Sequence, residues 1–252
     1  MTSKKNLFSG ILLAAGSGQR FNSDTTQEFW PKQFWEIKSN YSVIEKSFEA
    51  IAPFCVDIVM TIPSLEIIQS SISSQKSFQA KLEEIIFRIQ KSAIKHQCKF
   101  SICSGGETRQ ASVSKALELI DSEYLLIHDG ARPLVHIDDL EKLIEKTILH
   151  KAAILATPIT DTIKQAKELN IIDKTISRNM LWAAQTPQAF ETKLFRYALS
   201  KANEDNFIGT DDASLMENLG SQSDYCVQLV EATKPNPKIT YKSDLDWIRF
   251  LG

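Results

Sequence analysis

Three short segments combine glycine with charged or hydrogen-bonding side chains, and a fourth supplies a further cation, in patterns that suit phosphate chemistry. LAAGSGQR, from Leu13 to Arg20, follows an apolar run. Gly16 and Gly18 would let backbone amides approach a phosphate, and Arg20 could place a positive charge beside it. Pro31, Lys32 and Gln33 offer a second cation. In SGGETRQASV, Gly105 and Gly106 permit close approach to a flat ligand. Glu107 can accept hydrogen bonds there, and Arg109 and Ser112 can donate them, which suits a nucleobase or its phosphates. In HDGARP, Asp129 follows apolar Leu125, Leu126 and Ile127. A carboxylate so placed is a hard oxygen ligand, suited to magnesium bound through substrate phosphates.

Each segment also has a plainer reading. The first glycines could form a turn that merely feeds a helix, Thr108 could cap a helix, and Asp129 could be a loop or capping carboxylate. His128 reads as structural rather than catalytic. Two common templates fail outright. A dinucleotide fingerprint needs glycine three positions after Gly18, where Phe21 stands, and a Walker loop needs Gly-Lys-Ser/Thr, which is absent.

The elements that must position these residues alternate. Strand-length apolar runs lie at Phe8 to Ala15, Val56 to Ile62, Lys99 to Cys103, Tyr124 to His128 and Ala152 to Pro158. Helical spacing marks Ser42 to Ala52, Arg109 to Ile120 and Ile137 to Leu149. This alternation implies right-handed crossovers and an α/β fold with a mostly parallel twisted sheet, in which ligands bind beyond the carboxyl ends of the strands. The region from Ile67 to Lys99 is expected to be a mobile, serine-rich loop followed by one long surface helix. Asp161 to Lys167 and Ile171 to Ser177 predict a projecting hairpin. Beyond it the pattern predicts a strand near Ala183 to Phe190, helices near Glu191 to Ala202 and Asp211 to Leu219, a strand at Tyr225 to Glu231 and a helix from Asp244. The hairpin is expected to be an arm on one domain.

Composition narrows the field further. With 252 residues, 43% hydrophobic and 24% charged, the chain has the usual globular mixture. Its nine glycines are about half the typical ~7%, which suggests use where geometry demands it. A net charge of −2 argues against a general nucleic-acid or anionic-membrane binder. Cys55, Cys98, Cys103 and Cys226 form no CxxC pair, so packing thiols in a reducing compartment are expected. Lys4 and Lys5 before the apolar run superficially resemble a secretory signal, but Ser9 and Gly10 interrupt that run. A cytoplasmic protein is expected.

LAAGSGQR with PKQ, GGETRQASV, HDGARP, DTIK, RNMLWAAQTPQAF and GTDDAS, in this order over nearly the whole chain, resemble the 2-C-methyl-D-erythritol 4-phosphate cytidylyltransferases. The resemblance implies transfer of CMP from CTP to methylerythritol phosphate, giving CDP-methylerythritol and pyrophosphate in non-mevalonate isoprenoid synthesis. It implies a magnesium requirement, a Rossmann-like nucleotidyltransferase domain spanning 1–252, and a homodimer joined by arms at roughly 159–180. By motif, Arg20 and Lys32 match transition-state stabilisers, while Arg178 and Lys238 position methylerythritol phosphate. Thr162 and Thr186 match parts of the sugar-phosphate site. Ala14, Ala15, Gly16, Gly18, Gly106, Glu107, Arg109, Ser112 and Gly130 fall in the nucleotide-binding set. Asp129 belongs to that set and is also the expected metal ligand. Arg178 and Thr162 would come from the arm, completing a neighbouring subunit's site.

The chain departs from the family pattern in several places. Ten residues, Phe21 to Trp30, separate Arg20 from PKQ, more than is usual. Gly130 stands where alanine is commoner, Glu107 replaces a frequent aspartate, and Ser177 stands where aspartate often precedes the arginine. The Ile67 to Lys99 region is longer than in compact members. A pentitol 5-phosphate cytidylyltransferase, acting for example on ribitol 5-phosphate, shares the PKQ and TPQ logic. HDGARP and LWAAQTPQ favour methylerythritol phosphate. An inactive sugar-nucleotide-binding module would not need Arg20, Lys32, Asp129, Arg178 and Lys238 together.

Overall fold

The computed structural model describes residues 7–16, 30–64, 75–220 and 226–251. In chain order it contains β1 (Phe8–Leu13), a 3-10 turn (Lys32–Phe34), β2 (Glu36–Lys38), β3 (Tyr41–Ser42), α1 (Val43–Ile51), β4 (Asp57–Ile62) and α2 (Gln75–Lys95). Next come β5 (Lys99–Ser104), α3 (Arg109–Leu117), β6 (Tyr124–Asp129), α4 (Ile137–His150), β7 (Ala152–Pro158), β8 (Ile163–Ala166) and β9 (Ile172–Ile176). The chain closes with β10 (Trp182–Glu191), α5 (Thr192–Glu204), α6 (Asp212–Glu217), β11 (Gln228–Glu231) and α7 (Lys242–Leu251).

Seven strands form one sheet in the order β11-β7-β10-β6-β1-β4-β5. All neighbours are parallel except β10, which runs antiparallel to both β6 and β7. Successive side chains on a strand face opposite sides, and this alternation builds two cores. Phe8, Leu12, Ile58, Met60 and Leu126 join residues of α1, α2 and α4 on one face. Ile11, Val59, Leu125, Ile127 and Phe190 join those of α3, α5 and α6 on the other. Both faces of the central strands are therefore covered, which is why their sequences read as nearly unbroken apolar runs. The Leu7 to Ala15 run supplies central strand β1. Each fully buried Phe, Leu or Ile side chain contributes on the order of 1.5–3 kcal/mol.

The long helix expected after Ile67 is α2, with Phe78, Leu82, Ile85 and Ile89 buried. The serine-rich stretch before it, residues 65–74, lies outside the described residues. The hairpin β8–β9 forms its own two-stranded sheet, standing off the main one. It carries solvent-facing Leu169, Ile171 and Ile172, and Met180 follows it, also exposed. The last strand is shorter than the sequence pattern suggested, beginning at Gln228, and the last helix begins earlier, at Lys242. The short hairpin β2–β3 was not foreseen, because two-residue strands carry too little alternation to register. Of the four thiols, Cys55 and Cys98 are buried, Cys103 is half-buried and Cys226 is exposed, so a packing role fails for Cys226.

Candidate active site

The carboxyl ends of β1, β5 and β6 converge on the segments singled out above. Beyond β1, Ala14 donates its N–H to the Thr61 carbonyl of β4, while its own carbonyl receives Gln33 Nε2 at 2.5 Å. The same side-chain amide donates to Gly16 O at 3.1 Å. Gln33, buried, thereby ties the PKQ turn to the glycine loop, and Lys32 begins the same turn, which ends at the buried ring of Phe34. Ala14 and Ala15 are buried, whereas Gly16 is exposed with no described atom within 4 Å of where a Cβ would sit. Gly18 and Arg20 lie outside the described residues.

Beyond β5, the Gly105–Gly106 turn enters α3. Thr108 caps that helix, its hydroxyl accepting from Ala111 N, as the plainer reading of this segment held. Ser112 Oγ accepts from Gly106 N and donates to Thr108 O, both at 3.0 Å, so this hydroxyl shapes the turn. Lys115 Nζ closes the turn on Gly105 O at 3.0 Å. Glu107 is exposed.

These glycines also have a packing reason. A Cβ on Gly105 would lie 2.2 Å from that of Ala15, and one on Gly130 would lie 2.3 Å from Ile44 Cδ1. Gly106 is likewise crowded, by Ala111. The protein's own atoms fill the space, so glycine there lets the loops pack on one another and on β1.

Asp129, at the end of β6, is the electrostatic focus. Lys238 Nζ stands 2.7 Å from its carboxylate, and Arg109 and Arg132 each place Nε at 3.7 Å. Burial alone would raise this carboxyl's pKa, but Lys238, Arg109 and Arg132 outweigh it and hold the group well below the usual carboxylate range. Lys238 is fixed from both sides. Ile239 N donates to Ala131 O at 2.9 Å, and Arg132 donates to Asn236 O at 2.7 Å.

Behind Asp129 runs a chain of hydrogen bonds. Asp129 N donates to Thr186 Oγ1 at 3.0 Å, and that hydroxyl lies 3.1 Å from His128 Nδ1. His128 Nε2 lies 3.0 Å from the Arg132 carbonyl, which can only accept. The proton therefore sits on Nε2, and Nδ1 accepts from Thr186. Burial depresses the imidazole pKa to about 4, so the ring is neutral. His128 is structural, as expected, and the Thr186 hydroxyl is turned toward it and the Asp129 amide. Asn236 Nδ2 also supports Thr186, donating to its carbonyl at 2.9 Å.

Arg109 has a partner that sequence reasoning missed. Both of its terminal nitrogens bond the Asp212 carboxylate at 2.6 Å. Burial pulls the Arg109 pKa down, but Asp212 and Asp129 together hold it above its ordinary value. The neighbouring Asp211 caps α6 and receives Gln188 Nε2 at 2.8 Å. Arg178 and Thr162 are exposed on and beside the arm, where Arg178 donates to the Thr160 carbonyl across its base. That contact does not reach the Asp129 cluster.

A mostly parallel sheet flanked by helices, with cation-rich strand ends and a projecting hairpin, defines a Rossmann-like nucleotidyltransferase fold. Residues 9–251 match the family model for 2-C-methyl-D-erythritol 4-phosphate cytidylyltransferase. A cytidylyltransferase of that description from Geobacillus kaustophilus is 36% identical over 243 residues, covering 94% of this chain and 93% of its own. Another from Dictyoglomus thermophilum is 35% identical over 246 residues, covering 95% and 94%. The fold is similar to the crystal structure of 4-diphosphocytidyl-2C-methyl-D-erythritol synthase from Anaerococcus prevotii (TM-score 0.74, 26% identity, 98% of each chain). It is also similar to that of the cytidylyltransferase from Thermus thermophilus (TM-score 0.70, 26% identity, 96% of this chain and 97% of that one). The chain belongs to the 2-C-methyl-D-erythritol 4-phosphate cytidylyltransferase family. It is an enzyme of CTP-dependent cytidylylation in the non-mevalonate isoprenoid pathway.

Proposed function

We propose that this chain transfers CMP from CTP to 2-C-methyl-D-erythritol 4-phosphate at the strand ends around Asp129. A phosphate oxygen of the acceptor attacks the α-phosphorus of CTP. The new P–O bond forms as the bond to the β-phosphate bridging oxygen breaks, and pyrophosphate leaves. The attacking oxygen is already anionic, so no strong general base is needed; the difficulty is bringing two anions together. One observation carries this reading: Lys238, Arg109 and Arg132 all face the single buried carboxylate of Asp129. Such a preorganised positive field suits charge developing on phosphoryl oxygens.

In this reading Lys32 and Arg20 stabilise the transition state, and Lys238 with Thr186 lies against the acceptor. The turn from Gly106 through Glu107 to Ser112 and Arg109 cradles the cytidine, with Ala14, Ala15, Gly16 and Gly18 along the triphosphate. Magnesium bound through substrate phosphates needs one or two carboxylates and not a full protein cage. Ionised Asp129 fits that need, although among the described residues no group of three or more His, Cys, Asp or Glu forms a metal cluster. The bound ion would neutralise phosphate charge; this chain's cations hold and orient the two substrates.

The solvent-facing Leu169, Ile171, Ile172 and Met180 support a homodimer gripped through the arm at roughly 159–180, with Arg178 and Thr162 completing the partner's site. The whole chain, 1–252, is then one nucleotidyltransferase domain bearing this arm. Free cysteines agree with a reducing, cytoplasmic setting. No described helix is long and apolar enough to cross a membrane.

The test is pyrophosphate release from CTP and magnesium with two acceptors supplied separately. Release with methylerythritol phosphate and none with ribitol 5-phosphate is expected. The reverse preference overturns the reading in favour of a pentitol phosphate enzyme.

A further inference from the structure

The residue leading into the Lys32 turn, Trp30, and the first turn of α2 meet in space. The Trp30 ring meets Phe78, in the first turns of α2, edge-on with centroids 5.1 Å apart. Phe34 meets the Phe78 ring edge-on at 5.7 Å. Phe78 and Phe34 are both fully buried. Lys32 lies between Trp30 and Phe34 in sequence, on the 3-10 turn. The turn is therefore held on one side by Gln33, bonded to Ala14 O and Gly16 O, and on the other by aromatic rings closing on Phe78.

Two ion pairs fasten α2 to the elements beyond this turn. Lys81 reaches Glu36 at 2.5 Å, and Arg88 engages both carboxylate oxygens of Glu45 at 2.6 and 3.0 Å. Glu45 in turn closes the capping box at the start of α1. Thus α2 grips the Lys32 turn, β2 and α1 together.

We infer that Phe78 is a positioning residue for Lys32, and that α2 braces the catalytic turn through it. The inference rests on Lys32 being a transition-state cation. Its physical basis is geometric: an error of about 1 Å in placing a reacting group can cost on the order of 10²-fold in rate. A flexible lysine stem needs its backbone fixed to avoid that error. The edge-on rings set the turn's height above β1, and the Gln33 amide sets its distance from the glycine loop.

Four proteins test this: wild type, Lys32→Ala, Phe78→Ala and the double variant, each assayed for kcat and for KM of CTP, with a thermal melt to confirm folding. Phe78→Ala is expected to lower kcat by about tenfold or more, with KM for CTP changed much less. In the Lys32→Ala background the same change should cost no further kcat, because the group it positions is gone. A full multiplicative loss in the double variant overturns the inference. A slow Lys32→Ala beside an unimpaired Phe78→Ala removes the brace alone, whereas near-normal Lys32→Ala removes the assignment of Lys32 and the brace with it. Should Phe78→Ala fail to fold, Trp30→Leu, at a half-buried position, enters the same four-way comparison with the same expected outcomes.

Discussion

Arg109 and Asp212 share two parallel hydrogen bonds of 2.6 Å across 103 residues of sequence. Asp212 is almost fully buried, and its pairing joins the helix after β5 to the short α6, with Arg109 also facing Asp129. The start of α3 and the GTDDAS segment are therefore one electrostatic unit.

Breaking that unit should be costly. Asp212→Ala leaves a half-buried guanidinium without its main partner, and leaving such a donor unsatisfied typically costs about 1–3 kcal/mol. Urea unfolding should show a marked drop in midpoint. A change below about 0.5 kcal/mol, the range of ordinary surface substitutions, would show that the pair does not hold the fold.

Removing site cations should slow chemistry more than it weakens folding. Lys238→Ala, Lys32→Ala and Arg20→Ala are each expected to lower kcat by about 10²-fold or more, comparable to losing an oxyanion-type donor. Lys238 is part-exposed but is the nearest partner of buried Asp129, so its loss should also lower the melting temperature, by less than the loss in turnover. Steady-state pyrophosphate release and a thermal melt on the same preparations separate the two effects.

Acid should destabilise the site in a defined window. His128 is neutral in the fold with its pKa pushed down to about 4, against 6.5 when free. The neutral form's contribution is complete above about pH 6.5 and is lost as pH falls toward 4. Asp129, held low by Lys238, Arg109 and Arg132, adds a second loss below the ordinary carboxylate range. His128→Gln should flatten the slope of stability between pH 6.5 and 4; an unchanged slope in that variant would assign the acid sensitivity elsewhere.

Divalent metal should enter through Asp129. Chelation by EDTA is expected to stop turnover, and added magnesium to restore it. Asp129→Asn should raise the magnesium concentration giving half-maximal rate as well as lowering kcat, because the amide keeps the shape but loses the charge. A magnesium dependence identical to wild type would remove Asp129 from metal binding.

The arm can be tested by complementation. Arg178→Ala and Lys238→Ala should each be nearly inactive as pure proteins. Mixed and allowed to exchange subunits, they should recover activity, since one hybrid site then carries neither defect. Persistent inactivity in mixtures shown to contain hybrid dimers would place Arg178 in its own subunit's site.

Much of this architecture was legible because it is written in local pattern. Apolar runs at Phe8, Val56, Tyr124 and Ala152 became strands, and the helical spacing of Phe78, Leu82, Ile85 and Ile89 became α2. The hairpin turn at Glu168 to Asn170 also announced itself, and its Leu169 and Asn170 adopt positive φ. What stayed hidden depends on partners remote in sequence. Nothing near Asp212 signals Arg109, and nothing near Gly130 shows that Ile44 will crowd it. Phe78 registers in the sequence only as one apolar position of a helical repeat, because its contact with Trp30 exists only after the chain has folded back. Ser112 was read as a ligand contact from residue type and Thr186 from the family resemblance, and only their hydrogen bonds reveal that both hydroxyls are engaged within the protein.

The one reversed strand of the sheet has a thermodynamic consequence. Because β10 runs against β6 and β7, its first residues lie beside their carboxyl ends, and the chain reaches Thr186 directly from the arm. A grip on the arm by a second copy would then be transmitted along a single strand to the amide of Asp129. Subunit association and site order become linked equilibria, so specific activity should fall on dilution through the dimer dissociation constant, and saturating substrate should tighten that constant by the same free energy.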